Sequence, residues 1–168
     1  MHSHNKRYVH HHGWGCVGIY YLSHWLWIHK LKFLALAAKY LNILAFRVFI
    51  DPPARIGDRL VLPHGGFGVV IAPDVEIGCD AIIMHNVTIG HARPGRIIIG
   101  NRFCAGAGAT ILGPVRIGHD VTIGANATVH FDVPDGATVV GQRARIITPN
   151  KLGKMAGTDD GREVVGST

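Results

Sequence analysis

A chain of 168 residues, 48% of them hydrophobic, can bury the core of one domain and carry small appendages, which excludes a wholly disordered polymer. Its net charge of +6 lies entirely in residues 1–50, where Lys6, Arg7, Lys30, Lys32, Lys39 and Arg47 meet no acidic residue; the other 11 basic and 11 acidic residues cancel. Cys16, Cys79 and Cys104 are odd in number and lack metal-ligand spacing, which argues against a disulfide framework and for a reducing compartment.

The basic first segment suits contact with an anion: a membrane surface, a lipid-phosphate-linked substrate or a nucleic acid. A solvated basic face on a small helical cap is the plainer alternative. From Val17 to Phe49 the chain is apolar and aromatic, but Lys30, Lys32 and Lys39 break it, so no run of ~20 apolar residues spans a bilayer. No cleavable signal is found either. The expectation is two amphipathic helices that pack on the rest of the protein or lie on a membrane. The histidines at 2, 4, 10, 11 and 12 are not expected to form a specific metal site. Pro52 and Pro53 end any helix, because proline lacks an amide donor and restricts its predecessor.

A six-residue beat follows. Aliphatic residues stand at Ile77, Ile83 and Ile89, then at Ile99, Ala105, Ile111, Ile117, Ile123 and Val129. A second apolar set lies two positions earlier, at Val75, Ala81, Val87, Val115, Val121 and Ala127. A period of six fits neither a helix nor a flat strand and marks a β-helix built from hexapeptides. Two breaks interrupt it: three extra residues near Pro63–Gly66, and four within His91–Arg96. Three hexapeptides make one triangular coil, so about five coils and a prism roughly 24 Å long are expected. Insertions in a solenoid bulge out on a functional face. Each break holds a histidine, His64 and His91. The expected organisation is a helical segment (1–50), a β-helix (51–147) and a flexible tail (148–168).

The segments Ala54–Gly57 (ARIG), Pro63–Val70 (PHGGFGVV), Asn86–Gly90 (NVTIG), Ala105–Gly113 (AGAGATILG) and Val139–Ile147 (VVGQRARII) resemble the hexapeptide acyltransferases of the serine acetyltransferase-like branch. The short polysaccharide-modifying members of that branch are similar too. The resemblance implies an all-β solenoid, specifically a left-handed parallel β-helix with a short N-terminal helical segment. It also implies a homotrimer and acetyl-CoA as donor, with no metal.

By the same resemblance His64 is the catalytic histidine. A hydroxyl is a weak nucleophile at neutral pH, and an imidazole with a pKa near ~6.5 can take its proton during attack on the thioester. A backbone amide can then stabilise the oxyanion. Two departures from the serine enzymes stand out. Phe49 occupies the position of an upstream aspartate that assists the histidine, with Asp51 the nearby substitute. A second substrate-binding histidine is missing from the shortened loop, where His91 is offset. His85, just before Asn86, is a candidate to line the acceptor or trimer cleft, and a surface corner histidine is its alternative. Ala105, Gly106 and Ala107 are candidates to let a pantetheine arm approach the backbone, or are simply small enough for crowded corners. Arg143, Arg145 and Lys151 match the positions expected to meet the phosphates of the donor.

The leading expectation is therefore acetyl transfer to a hydroxyl of a sugar or polysaccharide precursor. L-serine is the alternative acceptor, and a non-catalytic trimeric scaffold the alternative class. Nucleic-acid binding is not expected, since the basic residues lack any binding motif. The expected location is cytoplasmic, with the basic segment able to meet the inner face of the membrane.

Overall fold

The computed structural model describes residues 14–91 and 95–141. Two helices lead, α1 (Trp14–Ile28) and α2 (Lys32–Phe46). Short strands follow in the order β1 (Phe49–Ile50), β2 (Arg55–Ile56), β3 (Val70–Ile71), β4 (Val75–Ile77), β5 (Ile82–Ile83) and β6 (Thr88–His91). Then come β7 (Ile97–Ile99), β8 (Cys104–Ala105), β9 (Thr110–Gly113), β10 (Val115–Ile117), β11 (Thr122–Ile123), β12 (Thr128–Val129) and β13 (Thr138–Val139). No helix among the described residues is long and apolar enough to cross a membrane.

The strands stack as three parallel sheets: β1-β3-β6-β9-β12, β2-β4-β7-β10 and β5-β8-β11-β13. They form the faces of the triangular prism that the six-residue beat requires. Four turns separate the first strand of the five-stranded sheet from its last, so the rise is about 19 Å, shorter than the 24 Å expected. Side chains on a strand alternate between faces, and here the residues on the beat point inward. Ile83, Ile89, Ala105, Ile111, Ile123 and Val129 are fully buried, and so are Ala81, Val87 and Val121 from the set two positions earlier.

Register locates the breaks. Val70 pairs with Thr88, one 18-residue coil on, but Phe49 pairs with Val70 across 21 residues. The extra three form a tight turn at Pro63–Gly66. Val75 pairs with Ile97 across 22 residues, so four more enter between β6 and β7. A third irregularity has no counterpart in the sequence expectations. Thr122 pairs with Thr138 only 16 residues on, and Ile117 bridges Val133 at the same spacing, so the last coil is two residues short. Val129 to Val133 is where the beat contracts.

Two of the prism's corners use left-handed backbone. At one, Arg59, Asp80, Arg102 and Asp120 have φ between 57° and 62°. At the next, Gly68, Asn86, Gly108 and Asn126 alternate, with φ between 56° and 72°. Asn adopts this conformation more readily than most residues. The alternation also has a steric reason: a Cβ on Gly68 or Gly108 would meet the Asn86 or Asn126 Oδ1 at 2.1 or 2.3 Å.

The helices pack on the open end of the prism through hydrogen bonds to its first coil. The Tyr20 hydroxyl donates to the Ala54 carbonyl at 2.8 Å and the Tyr21 hydroxyl to Gly57 at 2.6 Å. Burial pushes both phenols above their ordinary pKa, so they remain donors at neutral pH.

Candidate active site

His64 stands in the three-residue insertion between β2 and β3. His64, Gly65 and Gly66 have φ of 58°, 73° and 68°, three consecutive left-handed residues where the regular corners need one. A side chain held this way costs energy that the surroundings must supply. Leu62 and Val69 are buried on either side of the turn. A Cβ on Gly66 would meet the Leu62 and Val48 side chains within 2.9–3.1 Å, so the turn is pressed against the core there. The outcome is an exposed imidazole on a pinned backbone.

The helices help to pin it. The buried Cys16 thiol of α1 donates to the Gly65 carbonyl at 3.4 Å, and the Asn42 amide of α2 donates to the Cys16 carbonyl at 3.0 Å. Burial raises the Cys16 pKa, which keeps the thiol a donor. Neither residue was legible as part of the site, because both act across more than twenty positions of sequence.

His85 joins His64. Their ring centroids are 5.4 Å apart with the planes at 86°, an edge-to-face contact. The His85 Nδ1 is buried and has no hydrogen-bond partner in the structure. A buried ring nitrogen without a partner among the described residues is costly. The two histidines meet because β5 leads into His85 one coil above the turn that carries His64, and the Asn86 amide bonds the Phe67 carbonyl at 2.9 Å. Around them the outward face is apolar: Phe49 and Val70 are register partners, and Phe67 is 57% exposed.

Other candidates lie elsewhere. Asp51 follows β1, and its carboxylate accepts a hydrogen bond from the Lys39 ammonium of α2. That ion pair ties α2 to the prism and is the contact the structure gives Asp51, in place of one to His64. His91 ends β6, beside the four-residue insertion. Ala105 is fully buried, so its methyl belongs to the core and is closed to a ligand. Gly106 gives its amide to the Ile123 carbonyl at 2.7 Å, and a Cβ there would meet the Ala125 nitrogen at 2.6 Å. Its glycine therefore serves the close approach of the next coil, whose Asn126 amide also takes the Ala107 carbonyl at 2.9 Å. Only the half-buried outer side of Gly106 and Ala107 remains accessible. Arg143, Arg145 and Lys151 lie outside the described residues. Among the described residues no group of three or more His, Cys, Asp or Glu is placed to hold a metal.

The bacterial transferase hexapeptide (six repeats) family model matches residues 96–130. The chain is 41% identical over 138 residues to a serine acetyltransferase of Helicobacter pylori, covering 79% of each sequence. The chain belongs to the serine acetyltransferase family. Among solved structures it is similar to soybean serine acetyltransferase complexed with serine (TM-score 0.71, 37% identity, 79% of this chain and 56% of that one). It is similar also to the serine acetyltransferase of Brucella abortus in complex with coenzyme A (TM-score 0.73, 32% identity, 80% and 55%). The chain thus spans a little over half the length of these two solved members of the acyltransferase family.

Proposed function

We propose that this protein is an acetyl-CoA-dependent serine O-acetyltransferase. The carrying observation is the His64–His85 pair, His64 on a strained turn and His85 one coil above it, within a fold shared with serine- and coenzyme A-bound relatives. In this reaction the imidazole of His64 takes the proton of the serine hydroxyl as its oxygen attacks the thioester carbonyl. The tetrahedral oxyanion collapses, the C–S bond breaks, and the proton passes from His64 to the leaving thiolate. No covalent intermediate with the protein forms. His85, in edge contact with the His64 ring, lines the acceptor side of the site. The donor runs along the outer side of Gly106 and Ala107, and by the family resemblance Arg143, Arg145 and Lys151 pair with its phosphates.

The saccharide acceptor expected from the sequence has no support among these relatives, which are named for serine. One observation still favours a different hydroxyl: Phe49, 41% exposed, stands where the family resemblance places an aspartate. A homotrimer is part of the proposal, because the apolar rim of Phe49, Phe67 and Val70 beside His64 is what a neighbouring copy would cover; light scattering at a single-copy mass would remove it.

Incubation with acetyl-CoA and L-serine, following release of free thiol, tests the assignment. Turnover is expected, and His64→Ala should lower it by about 10²–10⁴-fold with the circular dichroism unchanged. Unchanged turnover in that variant would remove the general base and favour the scaffold alternative for this turn. Donor binding without turnover on serine, but with turnover on a sugar hydroxyl, would move the acceptor back to the saccharide.

A further inference from the structure

Helix α2 is apolar nearly all round, a pattern that normally means burial on every side. One side is buried: Ala35 is fully enclosed and Asn42 is 3% exposed. The opposite side is open. Phe33 is 83% exposed, Tyr40 61% and Leu44 74%, and their spacing of i, i+7 and i+11 sets them in one stripe. Leu41 widens it at 55%, and Trp25 of α1 is 51% exposed. At 1.5 Å per residue the 15-residue helix offers a strip about 22 Å long.

Charge says what covers it. Lys30 and Lys32 stand exposed at the start of α2 and Arg47 at its end, while Lys39 is occupied by Asp51. No acidic residue occurs anywhere in residues 1–50. The first turn of α2 has no acid and no capping side chain, and begins with lysine, a choice that opposes the helix dipole. The helix dipole does not favour cations there; Lys32 lies over the Trp27 ring, 5.2 Å from its centroid, and an external anion would meet the charge that this contact and the exposed Lys30 leave. A second copy of the same face would set Lys30, Lys32 and Arg47 against their like with no carboxylate between them. A bilayer with anionic headgroups offers both an apolar layer and the counter-charge.

We propose that the stripe of α2 lies flat on an anionic membrane surface, with Phe33, Tyr40 and Leu44 in the headgroup–acyl boundary and the flanking cations among the headgroups. This rests on the helices and is independent of the acceptor assigned above. The test is co-sedimentation of the full chain with vesicles of phosphatidylcholine, with and without phosphatidylglycerol. Binding is expected with the anionic vesicles only, and should fall as salt is raised. Phe33→Glu with Leu44→Glu should weaken it by at least about tenfold, and Lys30→Glu with Lys32→Glu by a similar factor, with melting temperature unchanged. Absence of binding by the folded wild-type chain, or undiminished binding by the Phe33→Glu/Leu44→Glu variant, would overturn the proposal. So would a solution mass that falls in this variant without vesicle binding, since the stripe would then belong to a second copy.

Discussion

Inside the prism Ile71, Ile83, Ile89, Ile111 and Ile123 are fully buried, whereas in the helical pair Phe33, Tyr40, Leu41 and Leu44 each leave more than half of their surface open. Both regions are rich in large apolar side chains, so hydrophobicity does not separate them. Geometry does. Each inward residue of the prism meets its counterpart in the coil above and the coil below, because parallel register repeats the same position every turn. A helix can bury only the stripe that faces its neighbours, and among the described residues α2 meets α1 and the first strand of the prism on one side only. Position in a solenoid therefore dictates burial, while in these helices sequence dictates only that something apolar must cover the rest.

The largest expected effect breaks this comparison if it fails. Ile111→Ala removes methyl groups from between two coils and should cost about 2–5 kcal/mol, measured by urea denaturation. Leu44→Ala, on the open stripe, should stay within about 0.5 kcal/mol. Similar losses at both positions would mean that the stripe is covered in the isolated protein. Glycines sharpen the same contrast. A Cβ on Gly100 would meet the backbone of Gly118 and His119 at 2.7 Å, so Gly100→Ala should cost about 1–3 kcal/mol. A Cβ on Gly18 of α1 meets nothing within 4 Å, and Gly18→Ala should stabilise by about 0.5–1 kcal/mol.

A middle-sized effect lies where the two regions join. Tyr20 is 1% exposed, and its hydroxyl bonds the Ala54 carbonyl. Tyr20→Phe should cost about 1 kcal/mol by denaturation and loosen the helices before the prism, detectable as earlier amide exchange in α1 than in β9. Simultaneous exchange in both would make them a single cooperative unit.

Periodicity carried much of this into the sequence. The beat from Ile77 to Val129 marked the inward residues, and counting its breaks placed the turn of His64 and the insertion after β6. The shortened last coil was missed because Val133 and Val139 restore the spacing of six and hide the contraction before them. Asp51 was offered in place of the family's aspartate because it lies close to Phe49 in sequence; the partner the structure gives it, Lys39, comes from a helix whose docking no local pattern specifies. Ala105 looked like a donor contact because small residues serve crowded coils and ligands alike; its methyl is fully buried. The left-handed corners went unread: Asn86 and Asn126 favour that conformation, but Arg59 and Arg102 at the neighbouring corner do not, since arginine has no preference for it.

The smallest effect belongs to that arginine corner. Arg59 grips Asp80 with two hydrogen bonds of 2.5 and 2.7 Å, and Arg102 grips Asp120 at 2.5 and 2.6 Å two coils further. The Arg59 hydrogen bonds, and to a lesser degree the charges of Arg59 and Arg102, hold the Asp80 carboxyl below its usual pKa. A carboxylate with a lowered folded pKa adds stability above its unfolded pKa of about 3.9 and loses it as pH falls through the folded value. These groups face solvent, so screening leaves the contribution small. Asp80→Asn should therefore lower the melting temperature by about 2 °C or less at neutral pH and low salt. The difference should vanish in high salt, and again at a pH acid enough to protonate Asp80 in the folded chain. A larger, salt-resistant difference would show that the corner ladder holds the coils together as the buried isoleucines do.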